Sequence, residues 1–116
     1  MAPRLAVEPG RAVAVMDDGA SILKMTLDAG GTASTPATIA TGIGARIERA
    51  AAGGFWLAWQ VGAELHVATY APGGNPENDL KVELPAAVQG YELVSSGGHT
   101  YLFVASNSAL WWTQLD

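Results

Sequence analysis

The stretch "GGFWLAWQVGAELHVATY", residues 53–70, decides how this chain is read. Two apolar runs, "FWLAWQV" and "ELHVATY", flank a short glycine-containing turn. They are strand-length, rich in aromatic and β-branched residues, and bounded by glycine. The reading is a hairpin of two strands in a packed sheet, with an aromatic ligand platform as the competing interpretation.

Working outward, Gly54 is one of three glycines, Gly10, Gly54 and Gly98, spaced by 44 residues each time. Each precedes an apolar run, "AVAVM", "FWLAWQV" or "TYLFVA", read as a strand buried on both faces. A second turn follows, "DDGAS", "VGAE" or "SNSA"; Asp18-Gly19 is a strong hairpin signal. With one residue of slack there, Ile22, Leu65 and Leu110 fall in register, and so do Leu27, Tyr70 and Leu115. A loop ("DAGGTAST" or "APGGNPEND") and a fourth run ("PATIAT" or "LKVELPA") complete the unit. Each unit is thus expected to be a four-stranded antiparallel meander. Residues 45–53, "ARIERAAAG", have helical composition. A helix there would be short and flanked by glycines, so the expectation is a strand.

Three features repeat: the glycine turn ("EPGR", "AGGF", "SGGH"), the second turn, and a third strand ending "TLD", "TYA" or "QLD". On these the chain resembles the β-propeller repeat proteins over nearly its whole length. The resemblance implies an all-β single domain of blades at about 1–44, 45–88 and 89–116, the last incomplete. A β-trefoil, also built from three four-stranded units, is the alternative fold. Continuous apolar runs favour the propeller, and the Gln-x-Trp signature of trefoils is absent. Propellers typically close with 4–8 blades. The expected partner is therefore a second copy in a homodimer of six blades, a second blade-bearing chain, or further blades of a longer chain.

Net charge is −5, from six basic and eleven acidic residues, with no basic run. This argues against nucleic acid and against a polybasic membrane surface as partners. With no cysteine there are no disulfides or thiolate metal sites. No signal-peptide core and no apolar segment of transmembrane length is visible, so a soluble chain is expected.

Trp56 and Trp59 lie three apart and face opposite sides of a strand. Trp59 matches apolar residues in the other copies and is read as packing; Trp56 matches small or polar ones and is the freer ligand candidate, for a glycan. Trp111 and Trp112 are adjacent and also point to opposite faces. With Leu115 they are the interface candidates. Glu48 and Glu92, with Arg4 in the first copy, occupy equivalent inner-strand positions and are candidate channel-lining ligand residues. His66 and His99 read as ordinary surface or turn histidines, and Asp17-Asp18 and "NPENDL" as turn chemistry rather than Ca²⁺ ligands. No catalytic motif, metal site or cofactor is expected. The expected function is a non-enzymatic protein-interaction module; the alternatives are a carbohydrate-binding module or part of a propeller enzyme.

Overall fold

The computed structural model describes residues 3–51, 53–71, 74–84 and 88–116. They form eleven strands and, among the described residues, no helix. The first sheet holds β1 (Arg4–Glu8), β2 (Arg11–Asp17), β3 (Ser21–Asp28) and β4 (Ala37–Thr41). The second holds β5 (Ile43–Arg49), β6 (Phe55–Val61), β7 (Glu64–Tyr70) and β8 (Glu77–Glu83). The third holds β9 (Val88–Ser96), β10 (His99–Ser106) and β11 (Leu110–Gln114). In each sheet, sequential strands are neighbours and every pairing is antiparallel. The arginine- and alanine-rich stretch is strand β5 up to Arg49, as its place in the pattern requires.

Local chemistry explains the turns. Gly97 and Gly98, at φ 61° and 83°, give the mirror-image turn that matches strand twist. The Asp18 carboxylate accepts hydrogen bonds from Ser21 N (2.8 Å) and Ala20 N (3.0 Å), closing the β2–β3 turn. Those amides, Ser21 foremost, hold its pKa below the ordinary aspartate value.

The second sheet lies between the other two. One apolar cluster joins Ala6, Val13, Val15 and Ile22 of the first sheet to Ala45, Ile47, Phe55, Leu57, Trp59, Ala68 and Tyr70 of the second. Another joins Trp56, Ala58, Leu65 and Val67 of the second to Tyr91, Leu93, Leu102 and Val104 of the third. Residues 55–59 are accordingly all buried. The expectation of two-sided burial fails for the other two apolar runs. β2 and β10 alternate instead, because among the described residues each outer sheet has a neighbour on one face only. The "NPENDL" segment is also corrected: β8 begins at Glu77 and includes Asn78 and Asp79. Its register slips opposite Val67/Thr69, where Asn78 takes a left-handed φ of 55°. An outer strand with little burial tolerates such polar residues.

The sheets are not evenly spaced. β5 approaches β1, β2 and β9 closely, whereas the outer strands β4, β8 and β11 make only sparse approach to another sheet. Cα atoms within 8 Å are nearer than the roughly 10 Å of ordinary face-to-face sheets. The stack is therefore tightest along its first strands, while Ile39 and Ala40 of β4, Val82 of β8 and Trp111 of β11 reach the inter-sheet clusters through their side chains.

Candidate functional site

Face assignment follows from cross-strand register. The forward face of a sheet is taken here as the one toward the next sheet in chain order, and the back face as its opposite. Ile22, Leu65 and Leu110 all lie on forward faces. Ile22 and Leu65 are fully buried under a following sheet, and Leu110 is 68% exposed. Leu27, Tyr70 and Leu115 all lie on back faces. Tyr70 is buried and Leu115 packs on the second cluster, whereas Leu27, with no sheet behind it, is 44% exposed.

Among the described residues, two apolar faces are thus left open. The back face of the first sheet carries Leu5, Val7, Ala12, Ala14, Met16, Leu23, Met25 and Leu27, paired as Leu5↔Ala14, Val7↔Ala12, Met16↔Leu23, Ala14↔Met25 and Ala12↔Leu27. The forward face of the third sheet carries Val94, Tyr101, Phe103, Ala105, Leu110 and Trp112. There Val94, Ser96, Tyr101, Phe103 and Trp112 line a shallow groove of about 350 Å³. Trp112 is 60% exposed and meets the Tyr101 ring edge-on, with centroids 5.7 Å apart. A buried apolar side chain gains about 1.5–3 kcal/mol over an exposed one, so both faces hold unused burial energy.

Of the interface candidates, Trp112 lies on this open face. Trp111 and Leu115 point the other way, against the second cluster. Trp56 lies in that same cluster, 8% exposed against 5% for Trp59 in the first, so both tryptophans are core residues on opposite faces of β6. The residue matching that made Trp56 the freer one is out of phase. The first and third sheets turn from first to second strand over residues 9–10 and 97–98, the second over residues 50–54. The longer connection changes the pairing register, and a one-residue slip exchanges faces.

In the inner strand the displacement is two residues, so Glu48 keeps the forward face but Arg46 holds the equivalent position. Arg4 pairs with Val15, Arg46 with Ala58 and Glu92 with Phe103, all on forward faces. Arg4 Nη1 and Arg46 Nε lie 3.4 and 3.3 Å from Glu92 Oε1. The second contact is a charge approach outside hydrogen-bond alignment. Glu48 pairs with Trp56 and accepts a hydrogen bond from Arg49 N, away from this trio. The partly exposed Arg4–Glu92 pair stabilises by no more than about 1 kcal/mol.

Gly44 ties the three sheets together. Its N–H donates to Asp17 Oδ2 of the first sheet (2.8 Å), and its carbonyl accepts from Tyr91 Oη of the third (2.7 Å). Gly44 has φ 67°, and a Cβ there would overlap the Tyr91 hydroxyl. The Arg46 guanidinium sits 5.5 Å from the Tyr91 ring centroid. Burial pushes the Tyr91 pKa up to about 12, against the opposing pull of Arg46. Arg46, Gln89, Tyr91, Glu92 and Phe103 border a cleft of about 350 Å³ here. Sequence reasoning gave Asp17 its turn role, in which Oδ1 accepts from Gly19 N (3.0 Å), but neither its bond to Gly44 nor Tyr91, although both residues fall in the buried phase of their strands, with Val13 and Val15 and with Leu93.

His66 stacks on Trp59 (5.2 Å, 26°) and its Nδ1 lies 2.7 Å from Asp79 Oδ2. His99 Nδ1 lies 3.2 Å from Gln114 Nε2. Among the described residues, no three His, Cys, Asp or Glu side chains are grouped as metal ligands would be. Comparison with family models, curated proteins and solved structures returns no match.

Proposed function

We propose that the chain is a non-enzymatic assembly module whose three sheets are blades of a β-propeller, and that its work is to bind protein by extending the sheet stack. The observation that carries this reading is the pair of open faces. Ile22 and Leu65 are buried where a sheet follows, and Leu110 is exposed where none does. Tyr70 is buried where a sheet precedes, and Leu27 is exposed. The closer approach of the first strands than of the outer strands supports a radial arrangement of blades rather than a flat sandwich. The partner is thus a further β-sheet with an apolar face.

Sedimentation velocity at micromolar concentration tests the reading. The intact chain is expected to run as a species larger than 12.0 kDa. Phe103→Glu is expected to run as a folded single chain. A soluble, monodisperse single chain in the unsubstituted protein contradicts the proposal.

A further inference from the structure

We infer that the covering partner is a second copy of this chain docked head to tail, with the forward face of each third sheet closing on the back face of the other copy's first sheet. This rests on the assembly reading and adds the occupant, the pairing and the closure. Six sheets, three from each copy, would then surround one axis.

Three observations carry it. First, the two internal interfaces are of one kind: the register-equivalent Ile22 and Leu65 each face the following sheet. The two open faces are one of each kind, so joining them repeats a step the chain already takes twice. Wedge-shaped units added head to tail turn through an angle and can close, whereas two like faces meeting would reverse the order.

Second, the open faces differ in bulk in the way that packs. The forward face of the third sheet presents the rings of Tyr101, Phe103 and Trp112. The back face of the first presents Ala12 and Ala14 at its centre, with the flexible Met16 and Met25 beside them. Inside the chain, the back face of the second sheet sets Phe55, Trp59 and Tyr70 against Ala6, Val13 and Val15. Large side chains opposite small ones fill the gap between sheets at that interface, and the two open faces offer the same pairing of bulk.

Third, the area favours a closed pair. At strand spacing near 4.8 Å and about 3.4 Å per residue, one such face covers roughly 350–450 Å² of flat area. A standard stable interface buries about 800 Å² on each partner. One face alone falls short of that. A closed pair uses both faces of each copy at once and reaches it; a like-to-like dimer uses one.

The first strands approach most closely inside the chain, where Ala6 of β1 shares a cluster with Ile47 of β5. The matching pair across the new interface is Val94 of β9 and Leu5 of β1. Both are exposed in the single chain, at 42% and 66%, and the chain has no cysteine, so an introduced thiol is unique. Leu5→Cys and Val94→Cys chains, one isotope-labelled, are treated with a short bis-maleimide separately and as an equimolar mixture. Products are read by intact mass. The expected result is a covalent mixed dimer from the mixture, little product from either variant alone, and loss of the mixed dimer when both carry Phe103→Glu. Efficient self-cross-linking of Val94→Cys would overturn the head-to-tail pairing in favour of a like-to-like dimer. No cross-link while light scattering still reports an assembly would overturn the pairing alone. Single-chain mass throughout would overturn the assembly reading as well.

Discussion

Replacing Gly44 by alanine should destabilise the fold by roughly 2–5 kcal/mol. The backbone there has φ 67°, and a side chain in the left-handed region costs about 1–2 kcal/mol. The new Cβ would overlap the Tyr91 hydroxyl, with Cζ at 3.3 Å, so the ring must move and the hydroxyl must leave the Gly44 carbonyl. Losing a buried hydrogen bond adds about 1–3 kcal/mol. Gly10→Ala is the control: φ is 87°, yet nothing lies within 4 Å of its Cβ, so only the backbone cost of about 1–2 kcal/mol applies. Equilibrium urea unfolding measures both. A double variant with Tyr91→Phe removes the overlapping atom, so the Gly44→Ala cost should fall by about 1 kcal/mol or more in that background. If Gly44→Ala costs no more than Gly10→Ala, and the double variant is additive, the sheet junction at Gly44 is refuted.

Further expectations follow from burial and titration. Trp56→Ala and Trp59→Ala should each cost about 3–5 kcal/mol in urea unfolding, because both rings are in the core; a loss at Trp59 alone would contradict the placement of Trp56. The Tyr91 pKa is raised in the folded state, so its stabilising contribution is complete below the unfolded value near 10 and is lost as pH rises through about 12. Stability should therefore fall across that alkaline window, and Tyr91→Phe should flatten the fall; an unchanged slope would contradict the buried hydroxyl. Asp18 is lowered, so its contribution is present above the ordinary aspartate value and lost as pH falls through the lower folded value. Asp18→Ala should flatten the loss of stability below pH of about 4, read by acid titration of the urea midpoint.

Much of the architecture was legible because strands and tight turns are written locally. Asp18-Gly19 and Gly97-Gly98 mark hairpins by backbone chemistry alone, and the third-strand register Ile22, Leu65, Leu110 keeps one face throughout. The first hairpin of the second sheet was harder. Residues 50–54 begin with alanines, which carry no turn signal, so the longer connection and its change of register were hidden. That displacement put Glu48 where Arg46 stands. The Asp17–Gly44–Tyr91 junction spans three sheets and depends on tertiary approach. Its one local trace is a carboxylate in the buried phase of an apolar strand. The Asp79 partner of His66 was hidden for another reason: an outer strand with both sides largely wet carries no apolar period to reveal it.

Small-angle X-ray scattering on a dilution series of the intact chain tests the central claim most directly, since it reads mass and shape together. The account predicts, at the higher concentrations, twice the 12.0 kDa mass of one chain and a radius of gyration well above the single chain's 13.9 Å. The distance distribution should be that of a disc. A mass of 12.0 kDa with a radius near 13.9 Å at every concentration would contradict it.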